Sequence, residues 1–236
     1  MISVDPLLQV VVSAIVYGKP ESIRQYHGPE DEVICMLSVC QEYFKSLKLD
    51  AYFQQKYDCY CKQHYSDNNP NTVRRGGYEY TIPREWVRVR IQTDRVQSQQ
   101  KKIFQSWTTS YYGMCEKKLE QILRNRFIPL PGDLLNDGNV FSDDSGYEQQ
   151  WLTSPSINYA SDSQYSPIKT FKLPGLRREI YNVQVVLQCK QKPGTFTVQP
   201  GRPRLCDIIP ANVIEWTSNQ RSTLIPYGLM IRMFKK

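Results

Sequence analysis

The stretch from Trp107 to about Gly138 constrains the chain more than any other. Its first part, Trp107-Thr-Thr-Ser-Tyr-Tyr-Gly113, reads as a strand that ends at Tyr112-Gly113. A helix is expected from about Glu116 to Arg124, because Leu119, Ile122 and Leu123 lie one turn apart and make one apolar stripe. Phe127 and Ile128 leave that helix, and Pro129 and Pro131 prevent it from continuing. A glycine between a strand and a helix has no Cβ, so the backbone can be approached closely there.

Further strands flank this unit. Val87, Val89 and Ile91 alternate with Arg88, Arg90 and Gln92, the mark of a half-buried strand with a basic outer stripe that solvent is expected to cover. Trp151-Leu-Thr, Ile180 to Lys190, Thr195-Phe-Thr-Val, Asn212 to Thr217 and Leu224 to Phe234 complete the strand set. Ser154-Pro-Ser opens a turn or short helix through Ser161. Residues 134–150 and 166–178 are loops by composition, and such loops commonly border binding sites. The expected fold is therefore α+β: two facing, mainly antiparallel sheets with a cleft between them. Val89, Ile91, Ile122, Val185, Leu187, Ile214 and Leu229 are expected in the core.

Upstream the reading is helical. Pro6 suits the first turn of a helix to about Tyr17, which Gly18-Lys-Pro20 ends. Pro29-Glu-Asp-Glu places acids at a second helix start. Val33, Met36, Leu37, Cys40, Phe44 and Leu47 then recur every three or four residues, so this helix is expected to run to about Tyr57. Ser66-Asp-Asn-Asn-Pro-Asn71 is a loop, and the domain boundary is placed there: 1–70 a helical N-terminal region, 71–236 a β-rich domain.

Composition excludes several classes. A length of 236 residues suffices for one large domain, or for one domain with a smaller companion. The net charge of +7 is spread along the chain with no run of five basic residues, so nucleic-acid binding is not expected. The seven cysteines are odd in number and irregularly spaced, which points to reduced thiols in an intracellular compartment, cytoplasmic or nuclear. Cys59-Tyr-Cys61 with His64 has no second ligand pair at a zinc-site spacing, so no metal is expected. The apolar run Leu7 to Tyr17 is too short for a membrane span, and Asp5 in front of it replaces the basic start of a signal peptide. Cys115 follows the glycine but has no histidine in its own domain, since the two histidines are His27 and His64, so a cysteine hydrolase is not supported. Phosphate-loop and dinucleotide-fold glycine motifs are missing.

The strand-Gly-helix-Phe-x-Pro pattern resembles the first half of an ADP-ribosyltransferase domain of the poly(ADP-ribose)-polymerase-like, His-Tyr-Glu branch. There the motif runs Tyr-His-Gly-Thr; here Tyr112 stands in the histidine's place, Gly113 matches and Met114 replaces the threonine. Arg75 to Trp86, Ser154-Pro-Ser-Ile-Asn-Tyr-Ala-Ser, Val185 to Phe196 and Pro226-Tyr-Gly-Leu-Met-Ile-Arg look like further blocks of such domains, so the resemblance spans roughly residues 74–236.

The resemblance implies a split β-sandwich that holds nicotinamide adenine dinucleotide (NAD) as substrate. Gly113 would contact the nicotinamide amide, an aromatic ring would stack on it, and a carboxylate would face the ribose. By position the aromatic is Trp151 and by residue type Tyr159; Ser161 closes that block and is counted among the cofactor contacts. Glu215 stands about a dozen residues before the final strand, as the family's glutamate does. Tyr112 and Glu215 are the implied catalytic pair. Two functions follow: transfer of mono-ADP-ribose to a protein acceptor, or an inactive relative that serves as an NAD-ligand or protein-interaction module.

Overall fold

The computed structural model describes residues 35–135, 137–142, 149–175 and 179–236. The helix expected at Pro6–Tyr17 and the acidic helix start at Pro29 lie outside these residues. The described chain is α+β, mostly sheet with a few short helices, and none of its sheets closes into a barrel.

The main sheet is built on the two longest strands, β8 (Ile180–Gln191) and β11 (Leu224–Lys235), which pair antiparallel along nearly their whole lengths. Beyond β11 come β4 (Val87–Ile91) and the edge strand β1 (Phe53–Cys59). The other edge of β8 is shared by β5 (Thr108–Gly113), opposite residues 186–191, and β7 (Lys169–Lys172), opposite residues 180–183. All of these pairings are antiparallel. A second sheet of three short strands runs in the order β6 (Trp151–Thr153), β10 (Glu215–Ser218), β9 (Thr197–Gln199). It is tied to the first where Tyr111 and Ser154 exchange both backbone hydrogen bonds, at 2.7 and 2.9 Å. A hairpin of β2 (Thr72–Arg75) and β3 (Tyr78–Thr81) forms a separate two-stranded sheet that packs against the main one through Tyr80.

Side chains alternate across the main sheet, as strand geometry demands. One face presents Val87, Val89 and Ile91 from β4, Val183, Val185 and Leu187 from β8, and Leu229, Ile231 and Met233 from β11. Helix α1 (Leu37–Ser46) covers this face with Cys40, Tyr43 and Phe44, and α4 (Leu119–Asn125) covers it with Leu119, Ile122 and Leu123. Two short helices, α2 (Arg95–Gln100) and α3 (Ile103–Ser106), connect β4 to β5. The opposite face carries Val186, Met230 and Tyr111 together with Tyr80, Trp86, and Ile157 and Ala160 of the short helix α5 (Ile157–Ala160). All seven residues expected in the core are buried, Ile214 in a separate small cluster with Tyr159.

Three expectations are corrected. The helix anticipated to about Tyr57 stops at Ser46, and Phe53–Cys59 is strand. That strand is part of the main sheet and Cys35–Lys236 forms one compact unit, so the 66–71 loop is a connection rather than a domain boundary. Arg88 and Arg90 are not a solvated stripe. Register places Asp58 of β1 beside Arg88, and the Asp58 carboxylate accepts from both guanidiniums at 2.8–3.0 Å. Burial alone would raise that carboxyl, but hydrogen bonds and charge from Arg90 and Arg88 hold it below its ordinary range.

Candidate functional site

Gly113 ends β5 in extended conformation; it is not a turn residue. Its missing side chain is nonetheless required. A Cβ there would lie 2.2 Å from the carbonyl oxygen of Ala160 and 2.6 Å from Cβ of Tyr165. The close backbone approach that a glycine permits is therefore taken up by α5, which crosses the strand at this point.

The four residues of α5 are held by side chains on every side. Ser156 caps the helix by accepting from the Tyr159 N–H at 3.3 Å, and Thr81 Oγ1 accepts from the Ile157 N–H at 3.1 Å. Downstream, Gln184 Nε2 donates to the carbonyls of Ser161 and Ser166 at 2.9 and 2.8 Å, and the Ser166 hydroxyl donates to Val185 O at 2.9 Å. The Ser-Pro-Ser start and the serines after the helix thus fix where Tyr159 points.

Tyr159 is fully buried, and its hydroxyl donates to Oε1 of Glu215. The same hydroxyl accepts from the Arg202 N–H at 3.0 Å. Glu215, the first residue of β10, is paired in register with Gln199 of β9, whose Nε2 donates to Oε2 at 3.0 Å. The backbone of Gly201 passes directly over this pair: a Cβ on Gly201 would meet Tyr159 Oη at 2.6 Å and Glu215 Cγ at 2.8 Å. Arg202 continues outward to Asp162 at 2.9 Å. Burial, and after it the bond to Glu215, pushes the Tyr159 phenol well above its ordinary pKa.

A narrow slot runs between β5, β6 and α5. Tyr112, Gly113, Leu152, Tyr159, Ala160 and Tyr165 are among the residues that line it. Its volume is about 30 Å³, enough for one or two waters and far below the roughly 300 Å³ at which sites for drug-sized ligands begin. A wider groove of about 460 Å³ lies elsewhere, between Tyr52, Gln92, Asp94, Arg124 and Phe127. None of the sequence-derived site residues borders it.

The structure therefore brings Tyr112, Gly113 and Tyr159 to one slot and joins Glu215 to it through the Tyr159 hydroxyl. Trp151 is not among them. It is buried in the main core, and its indole N–H donates to Pro129 O at 2.9 Å, so of the two aromatic candidates Tyr159 is the one that lines the slot. Ser161 closes α5: its hydroxyl donates to Asn158 O at 3.2 Å and its carbonyl accepts from Gln184. Gln199, Gly201 and Arg202 also enclose Glu215, and none of them is a candidate from the sequence, where the Pro200-Gly201 pair was the available signal.

The structure also gathers a candidate metal-ligand set that the sequence spacing left one donor short. Cys35, Cys59, Cys61 and His64 converge, with one ligand atom from each lying within 4.8 Å of all the others. The missing fourth donor comes from Cys35, which precedes α1 and has no local spacing relation to the other three.

No protein-family model matches the chain, and no curated protein matches it. None of the helices among the described residues is long and apolar enough to cross a membrane.

Proposed function

We propose that this chain is a divergent ADP-ribosyltransferase-like protein that takes NAD between β5 and α5 and uses Glu215 as its carboxylate. In this reading the large and small sheets are the two halves of that family's split sandwich. The observation that carries it is the hydroxyl of Tyr159 bound to Glu215 while the Tyr159 ring and Gly113 line one slot. Three chain segments separated by dozens of residues meet there. The reaction breaks the bond between nicotinamide and ribose, releases nicotinamide, and joins the ribose carbon to a nucleophile on a protein acceptor. Positive charge develops on the ribose as the bond breaks, and a fixed carboxylate stabilises it; such preorganised charge is often the largest single contribution to catalysis. Tyr112 in place of histidine leaves a hydrogen-bond donor on the strand and favours transfer of a single unit over chain elongation. In this reading, NAD as substrate and the free thiols fit an activity inside the cell.

A second reading, an inactive relative that keeps the fold as a ligand- or protein-binding module, is favoured by the volume of the slot, about 30 Å³, and by the two side chains that occupy Glu215. Incubation of the full chain with labelled NAD separates the two. Transfer predicts labelling of protein by the natural chain and its loss in Glu215→Gln, which keeps the shape and removes the charge. Binding seen by calorimetry without labelling gives the module. Neither binding nor labelling removes NAD from the reading.

A further inference from the structure

Cys59 is the last residue of β1, and Cys61 lies two positions on. An extended segment sends alternate side chains to the same side, so both thiols face one way. The strand end is fixed against the segment leading into β4 by Tyr60 N–H to Trp86 O at 2.9 Å and Glu85 N–H to Tyr60 O at 3.1 Å. A tight turn follows, in which Cys61 O accepts from the N–H groups of His64 and Tyr65 at 2.9 and 2.8 Å. That turn folds the imidazole back, with Nδ1 of His64 at 3.2 Å from Cys61 Sγ. Cys35, ahead of α1, brings its Sγ to 3.7 Å from Cys59 Sγ and 3.7 Å from His64 Nδ1.

These separations have a geometric meaning. Sulfur at about 2.3 Å and nitrogen at about 2.05 Å from one ion, at tetrahedral angles, lie about 3.8 Å apart (S to S) and about 3.6 Å apart (S to N). The two spacings of 3.7 Å match such edges, that of 3.2 Å between Cys61 and His64 is somewhat shorter, and all four ligand atoms lie within 4.8 Å of one another. A disulfide would need its sulfurs at about 2.05 Å.

We propose that Cys35, Cys59, Cys61 and His64 form a structural zinc site, a three-thiolate, one-imidazole set that ties the start of α1 to the end of β1. Three sulfurs and a nitrogen in a tetrahedron select zinc over the oxygen-seeking ions. All four positions are filled by protein, so no coordination site is left open for water or substrate, and the role is to hold structure rather than to catalyse. The site lies at the edge strand of the main sheet, built from residues that do not line the NAD slot. It stands or falls independently of the transferase reading.

The test is metal analysis of the full chain purified without chelator. About one zinc per chain is expected, and replacement by cobalt(II) should give the intense visible bands of a tetrahedral site and a near-ultraviolet thiolate charge-transfer band. Cys61→Ser and His64→Ala should lower bound metal to less than about a tenth of an equivalent, while His64→Cys, which keeps four ligands, and Cys206→Ser, outside the cluster, should retain it. Should the ligand variants fail to fold, the zinc content and cobalt spectrum of the unaltered chain decide alone. Less than about a tenth of a zinc per chain with no tetrahedral cobalt spectrum overturns the proposal. So does a Cys35–Cys59 disulfide recovered in place of metal.

Discussion

The hydroxyl of Tyr159 donates to the carboxylate of Glu215, joining a four-residue helix to the first residue of a strand 56 positions later. Both groups are buried, and the backbone of Gly201 covers them. A buried carboxylate that loses a donor is left with part of its desolvation cost uncompensated. Tyr159→Phe is therefore expected to lower unfolding free energy by roughly 1–3 kcal/mol, since it also strips the acceptor from the Arg202 N–H. A double-mutant cycle with Glu215→Gln, read by urea denaturation, should show coupling of at least about 0.5 kcal/mol. Additive effects would mean that the two residues do not stabilise one another.

The extent to which this was legible in the sequence varies with the range of the interaction. The β5–α4 unit declared itself because its stripe, its stop signals and its partners are local. Tyr159 and Glu215 could each be named, but the bond between them depends on a sheet register that no local pattern encodes. The edge strand β1 was misread as helix for a physical reason. It has a register shift between Phe53 and Tyr57, and its burial shows no period of two, so only the helical spacing of α1 ahead of it was visible. Arg88 and Arg90 looked solvated because their partner, Asp58, reaches them across a strand pair. Cys35 joins the thiol cluster in the same non-local way. Trp151 fitted the aromatic position of the resemblance by its place in the chain, but its N–H is spent on Pro129.

Gly113 offers a sharper test of how α5 is seated. A methyl group there meets a backbone carbonyl at 2.2 Å, and no side-chain rotation can relieve that contact. Gly113→Ala should push α5 away from β5 and destabilise the protein by roughly 1–3 kcal/mol or more, the usual cost of overpacking. Thermal unfolding followed by circular dichroism would register it. A variant as stable as the natural chain would show that α5 is free to lift from the strand, which would also mean that the slot can widen at little cost.

Lys190 gives a prediction in pH. The residue is 3% exposed on the polar face of β8, its Nζ donates to Thr109 Oγ1 at 3.0 Å, and it lies 5.3 Å from the Tyr227 ring. Burial first, then the charges of Arg75 and Arg88, lowers its pKa from 10.5 to about 7. Between those two values the unfolded chain holds a proton that the folded chain has shed, so folding must expel it. Stability due to this group accordingly rises with pH through the window, by up to about 1.4 kcal/mol per pH unit, and below pH 7 the full cost of the buried lysine persists. Lys190→Met removes the titration while nearly keeping the volume. The difference in unfolding free energy between the natural chain and Lys190→Met, measured in urea at several pH values above neutrality, should shift steadily in favour of the natural chain as pH rises. Cysteines and tyrosines that titrate in the same range are common to both proteins and cancel in the difference. A difference that stays flat across the window would mean that Lys190 is charged in the folded protein, with its ammonium solvated or paired in a way that the Thr109 bond does not provide.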